Sequence, residues 1–153
     1  MHYLTVPDLV WLNLQLTGSP QKYNYATLEE GVFYQYAYGS STDVFAQAAR
    51  LLTGFARLRP FASGNNATAL AATVGFLAIN GQELRVEGLA WLESLFADPA
   101  SAADKIQAAC HAHGVHLKHG IPDSRQSLQQ AVDANRATLG SLLASEPVAE
   151  LVG

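Results

Sequence analysis

The apolar residues of this chain recur at steps of three and four along most of its length. The stripe from Leu9 to Leu16 has this spacing, and so does the longer one from Val44 to Phe55. Steps of three and four put side chains on one face of an α-helix, whereas a half-buried strand needs alternation at steps of two. The pattern therefore predicts an all-α fold.

Capping and turn residues divide the chain into seven predicted helices. A serine, threonine or aspartate before an apolar run marks a start, and a glycine or Asn-Gly after it marks a stop. Residues 21–26 have no period and are predicted to form an ordered loop. The predicted helices are Thr5 to Thr17, Thr27 (in a capping box with Glu30) to Gly39, Ser41 or Thr42 to Leu58, Asn65 to Ile79, Val86 to Ala97, Asp98-Pro99 to Gly114, and Pro122-Asp123 to Ala144.

Length and composition favour a single soluble domain. With 153 residues, 49% of them hydrophobic, the chain can bury a core of its own. Its net charge of −4 gives no field that would attract nucleic acid or anionic lipid. No apolar run reaches the roughly 18 residues that span a bilayer, and Met1 to Leu4 lack the layout of a secretion signal. We expect a cytoplasmic protein, and the single cysteine, Cys110, agrees with a reducing compartment.

One segment carries a recognisable motif. It reads RPFASGNNATAL from Arg59 to Leu70 and is followed by Phe76-Leu77 and Asn80-Gly81. It resembles the signature of the Fic/Doc family in its Doc-like (death-on-curing) branch, where His-Pro-Phe-x-Asp-Gly-Asn-Lys-Arg-Thr-Ala-Leu leads into a helix. The resemblance covers roughly residues 3–97. The motif positions that agree are Pro60, Phe61, Gly64, Asn65, Thr68, Ala69 and Leu70.

The resemblance implies a fold and a chemistry. The fold is a Fic/Doc-like helical bundle over residues 1–97, with residues 98–153 as a C-terminal helical extension packed on the same domain. In the family the histidine is the general base, the acidic residue holds Mg²⁺, and the lysine or arginine neutralises charge on the phosphates of ATP. Together these groups transfer a phosphate or adenosine monophosphate to a hydroxyl of a target protein.

The residues that carry this chemistry differ here. Arg59 stands at the position of the base, and a guanidinium stays protonated at every cellular pH. Ser63 stands at the metal position, where Mg²⁺ prefers a carboxylate. Asn66 and Ala67 replace the two cations. We therefore predict a catalytically inactive Fic-fold protein.

A binding site is nevertheless predicted at the same place. A loop that leads into a helix points unpaired backbone N–H groups and the positive end of the helix dipole at one spot, which suits an anion. Gly64 and Asn65 can also be explained as a helix start alone, because asparagine is a good N-cap. The predicted anion or nucleotide site comprises Phe61, Ser63, Gly64, Asn65, Asn66 and Ala67 beside Arg59, and Tyr23 and Tyr25 lie on the segment that corresponds to the family's target-binding flap.

Two functional hypotheses follow from the resemblance. The favoured one is a pseudoenzyme, related to toxin-antitoxin systems, that binds a protein partner such as an antitoxin-like chain or another copy of itself. The alternative is an active phosphotransferase or nucleotidyltransferase that uses ATP and Mg²⁺, with a base from elsewhere in the fold. The family's inhibitory motif, a serine or threonine four residues before Glu-Gly or Glu-Asn, is not matched at Glu30-Gly31, because Ala26 precedes that pair.

A histidine cluster follows Cys110. Imidazole and thiolate are zinc ligands, but this order is not a familiar zinc spacing. Histidines near the end of a helix are also favoured by its dipole, so we predict no metal site. The cluster comprises His111, His113, His116 and His119, four of the five histidines in the chain.

Overall fold

The computed structural model describes residues 1–37, 42–112 and 123–146. These residues form eight α-helices, a 3-10 turn and one two-stranded antiparallel sheet, so the predicted all-α class is confirmed. None of the described helices is long and apolar enough to cross a membrane. The elements are α1 (Val6–Thr17), α2 (Tyr25–Phe33), α3 (Val44–Leu58), α4 (Asn65–Ile79), β1 (Gln82–Leu84), α5 (Leu89–Ala97), the 3-10 turn Pro99–Ser101, α6 (Ala102–Ala109), β2 (Cys110–Ala112), α7 (Ser124–Ala134) and α8 (Arg136–Ser145).

Helix α1 has the predicted bounds, and its ends explain why. The Thr5 hydroxyl accepts a hydrogen bond from the Asp8 amide, and the Asp8 carboxylate accepts one from the Thr5 amide. This reciprocal capping box satisfies two amides that the first turn leaves without partners. Gly18 ends the helix in the left-handed conformation at φ 79°.

The next two helix starts were placed at the wrong residues. Asn24 caps α2 by accepting from the Thr27 amide, so the helix begins two residues before Thr27, and it ends at Phe33 rather than running to Gly39. Asp43 caps α3 in place of the predicted Thr42 or Ser41. Ser41 lies outside the described residues. In both cases an asparagine or aspartate provides the cap in place of a nearby threonine, in line with the usual preference of N-cap positions.

Helix α4 has its predicted bounds and lies at the centre of the fold. Thirteen of its fifteen residues are buried, because α1, α3, α7 and α8 all pack around it. Its N-cap is Gly64, held in the left-handed conformation at φ 77° with no side-chain cap. The interpretation of Asn65 as the N-cap is therefore wrong, since Asn65 is the first residue of the helix itself.

The prediction was least accurate after residue 80. Residues 82–84 form β1, and α5 begins only at Leu89. The predicted helix from Asp98 ends at Ala109, because Cys110–Ala112 pairs with β1 instead of continuing the helix. The last predicted helix divides into α7 and α8 at Asn135, whose φ of −124° takes it out of the helical conformation.

The C-terminal helices pack on the same core as the others. Gly75 of α4 lies so close to α7 that a β-carbon there would meet Leu128 Cδ2 at 2.6 Å. Arg125 of α7 forms an ion pair with Asp8 at 2.7 Å and lies over the Trp11 ring at 5.1 Å from its centroid. Helix α7 is thus held against both α1 and α4. The division of the chain at residue 97 stays a prediction.

Candidate functional site

The motif loop connects the two longest helices. Arg59 ends α3 with φ 48°, a left-handed conformation that an arginine adopts only under constraint, and its amide bonds to the Phe55 carbonyl at 3.3 Å. Phe61 follows with 1% of its surface exposed, and its ring centroid lies 6.4 Å from that of Phe55. Buried Phe61 therefore anchors the loop at the point from which α4 begins.

The side chain of Asn65 closes this loop. Its Oδ1 accepts the Phe61 amide at 2.9 Å, and its Nδ2 donates to the Phe61 carbonyl at 2.8 Å. Asn65 is fully buried. Both ends of the carboxamide are thus bound to the backbone of residue 61, so the side chain holds the loop in shape.

Asn13 of α1 supports the loop from the other side. Its Nδ2 lies 3.0 Å from the Ser63 carbonyl and 3.2 Å from Thr68 Oγ1. At Gly64 a β-carbon would meet Thr17 Cγ2 at 2.7 Å, so the end of α1 packs directly on the loop. Asn13 could not be connected with the motif from the sequence, because an asparagine inside a helix carries no local signal of a contact 50 residues away.

A carboxylate from the C-terminal end of α8 lies at the start of α4. Oε2 of Glu146 accepts the Asn66 amide at 3.0 Å, and Oε1 lies 3.2 Å from Nη2 of Arg59. The Glu146 side chain is 1% exposed and that of Arg59 is 37% exposed. An anion is favoured here by the helix dipole and by the first-turn amides. The predicted anion site is therefore occupied by an acidic side chain of the same chain, one that the sequence analysis did not identify.

The other predicted site residues lie around this contact. Ser63 is half-buried and presents a neutral hydroxyl, while Ala67 is fully buried and faces the core. Asn66 is half-buried and borders a cavity of about 310 Å³ whose wall also includes Arg57 and Phe96. Within residues 1–37, 42–112 and 123–146, no three metal-ligating side chains come together.

The predicted flap segment pairs with the motif loop. Tyr23 forms an isolated antiparallel bridge with Phe61, made by the Asn24 amide to the Pro60 carbonyl at 3.1 Å and the Ala62 amide to the Lys22 carbonyl at 2.8 Å. This pairing uses one backbone edge of residues 22–24 and leaves the Tyr23 ring 43% exposed.

Tyr25 lies outside this strand-like pairing. It is the first residue of α2, and 57% of its surface is exposed. The two tyrosines of the predicted flap therefore differ in backbone structure, although both present aromatic surface to solvent.

The histidine cluster is described only at its beginning. His111 is exposed on β2, and His113, His116 and His119 lie outside the described residues. Burial raises the pKa of the Cys110 thiol to about 11, so this sulfur stays protonated at neutral pH. A protonated thiol is a poor metal ligand and a poor nucleophile.

A protein-family model matches part of the chain. The model of the Fic/DOC family matches residues 15–77, which extend from the end of α1 through most of α4. No curated protein and no solved structure matches the chain significantly. The matched stretch contains the flap segment, the motif loop and the N-terminus of the central helix. Over this stretch the chain is similar to the Fic/DOC family.

Proposed function

We propose that this chain is a Doc-like Fic/DOC protein with a degenerate motif that has no transferase activity and acts in the cytoplasm by binding a protein partner. The partner is an antitoxin-like chain or another protein, or a second copy of the chain itself. The single observation that carries the proposal is the contact between Arg59 and Glu146 at the start of α4.

This contact bears on the chemistry of the base position. A general base must hold a lone pair within hydrogen-bond reach of the target hydroxyl. Arg59 has none, and its guanidinium is ion-paired with a carboxylate that is almost fully buried. Glu146 is itself ion-paired with Arg59, and its Oε2 accepts from the Asn66 amide, whereas its buried Oε1 has no hydrogen-bond partner among the described residues.

The same contact bears on nucleotide binding. A phosphate at the start of α4 would have to displace Glu146 from the Asn66 amide, a charge-assisted hydrogen bond of the kind worth about 1.5–3 kcal/mol. Mg²⁺ would meet the Ser63 hydroxyl where it prefers a carboxylate. Both effects weaken the binding of ATP. ATP and Mg²⁺ are therefore cofactors only under the alternative hypothesis of an active transferase.

The exposed aromatic side chains support binding of a protein. Tyr23 and Tyr25 present 43% and 57% of their surfaces to solvent next to the motif loop. Tyrosine is enriched among the interface residues that contribute most of the binding free energy. A partner that covers the flap segment would therefore lie against the same face as the Arg59 contact.

Incubation with labelled ATP tests this proposal. We expect no labelled protein when the full chain is mixed with Mg²⁺ and a cell lysate, whether the label is on the α- or the γ-phosphate, because no base is available at Arg59. The readout is autoradiography of the separated proteins. The Glu146→Gln variant is the matched comparison, since it removes the charge and keeps an acceptor for the Asn66 amide.

Two outcomes would contradict the proposal. Label transferred by the unmodified chain would restore the transferase hypothesis directly. Label transferred only by Glu146→Gln would mean that the chain is an enzyme whose site is blocked by its own carboxylate.

A further inference from the structure

The outer edge of β1 is paired with no described residue. Residues 82–84 pair antiparallel with residues 112–110, and the Arg85 amide donates to the Ala109 carbonyl at 3.1 Å. In an antiparallel pair, hydrogen-bonded and non-hydrogen-bonded positions alternate. Glu83 and Arg85 therefore direct their amides at β2, whereas Gln82 and Leu84 direct their N–H and C=O groups the other way.

A cavity lies along β1 on the side away from β2. Its volume is about 400 Å³, and its walls include the consecutive residues 82–86 of β1 and the segment after it. No described residue of β2 lines it, which places it at the outer edge of β1 and not over the face of the sheet. The opposite wall is α7, and Val74 and Ala78 of α4 with Ala131 and Ala134 of α7 make its apolar surface.

The outer edge of β1 faces this cavity and lacks a partner in the described part of the chain. Leu84 is 4% exposed, and the hydrogen bonds among the described residues include none from its amide. The unpaired N–H and C=O groups of a strand edge can pair with the backbone of another chain. This position therefore favours a ligand that brings its own acceptor.

The spacing of the outward-facing groups selects the kind of ligand. Gln82 and Leu84 are two residues apart, so their N–H and C=O groups repeat at about 7 Å along the strand. An extended polypeptide backbone repeats its own groups at this interval, whereas a helix has none to spare and a small anion satisfies only one donor.

We propose that the outer edge of β1 binds an extended segment of a partner protein as a third, antiparallel strand. The residues of the segment that bond to β1 have side chains on the same face as Leu84, which is the buried face. These side chains face the small residues Ala78 and Ala131, so β-branched aliphatic residues fit there. The surface is separate from the Arg59 contact, and the inference does not depend on the proposed function.

Titration of the full chain with blocked pentapeptides tests the inference. The probe is acetyl-Thr-Val-Thr-Val-Thr-amide, observed by NMR through the backbone amides of residues 82–86. We expect saturable shifts and, at saturation, exchange of the Leu84 amide with solvent slowed about tenfold or more. The Glu83 amide is the internal control, because its bond to β2 already protects it.

Methylation of the peptide nitrogens gives matched controls. A peptide with both valine nitrogens methylated loses the donors that face β1 and is expected not to bind. A peptide with only the central threonine nitrogen methylated loses a donor on the far edge and is expected to bind as the parent does. Equal binding of both methylated peptides, or no binding of the parent at about 5 mM, would overturn the inference.

A pair of protein variants tests the location. Ala134→Trp fills the cavity from an exposed position at the end of α7. We expect this variant to bind the parent peptide at least tenfold more weakly. Ala137→Trp is the control, because Ala137 is also exposed but does not line the cavity. Unchanged affinity in Ala134→Trp, with both variants folded by circular dichroism, would place the peptide elsewhere and contradict the inference.

Discussion

Replacing Phe61 with alanine is expected to lower the free energy of unfolding by about 3–5 kcal/mol. The ring is 1% exposed and packs against Phe55 at 6.4 Å and Tyr23 at 5.7 Å between ring centroids. The cavity cannot collapse easily, because both the amide and the carbonyl of residue 61 are bound to the Asn65 side chain. Since small domains are stable by only about 5–15 kcal/mol, this one change removes a large share of the total.

Urea unfolding followed by circular dichroism measures the effect. Phe33→Ala is the matched control, because the same atoms are removed from a ring that is 47% exposed, and we expect it to cost less than about 1 kcal/mol. Phe61→Leu keeps most of the volume and should cost less than half as much as Phe61→Ala. Equal losses for Phe33→Ala and Phe61→Ala would mean that the motif loop is not anchored in the core.

The central helix could be predicted from the sequence because its signals are local. Gly64 provides the left-handed turn before it, and Asn80-Gly81 follows its last buried residue. Its apolar residues also extend around the whole helix, which is typical of a helix with neighbours on every side. The bounds Asn65 and Ile79 therefore follow from residues next to them in the chain.

The small sheet could not be predicted because its two strands stabilise each other. Each strand has three residues, too few to show a period of two, and they are joined across 25 intervening residues. Cys110 continues an apparently helical segment, but the pairing of residues 110–112 with β1 takes it out of the helix. A contact between distant segments overrides the local preference here.

The same distinction divides the candidate site. The start of α4 directly after Gly64 belongs to the motif and was predicted correctly, whereas the left-handed conformation of Gly64 was not predicted. Asn13 and Glu146, which hold the motif in place, lie about 50 and 80 residues away in the chain. Glu146 even follows the point at which the last helix was predicted to end. Motif residues mark where a site lies, whereas the groups that occupy it come from the tertiary fold.

Arg59→Met is expected to destabilise the protein by about 2–3 kcal/mol. It leaves the Glu146 carboxylate, 1% exposed, with the Asn66 amide as its remaining bond among those described here. Glu146→Gln should cost less, about 1 kcal/mol, because the amide keeps its acceptor and Arg59, 37% exposed, can be hydrated. Methionine is chosen because it is strained at φ 48° in the same way as arginine. The backbone contribution to the free energy of unfolding therefore stays the same.

The double variant Arg59→Met, Glu146→Leu separates charge from packing. Replacing a buried ion pair with apolar side chains of similar volume is often neutral or stabilising, whereas removing one partner leaves an uncompensated charge. We therefore expect the double variant to be at least 1 kcal/mol more stable than Arg59→Met alone, a coupling that a double-mutant cycle of urea unfolding measures. The control is Arg136→Met, since that arginine is 70% exposed and pairs with an exposed Asp133. If Arg59→Met costs no more than Arg136→Met, the Glu146 carboxylate does not depend on Arg59 at the start of α4, and the contact that supports an inactive site is not made in solution.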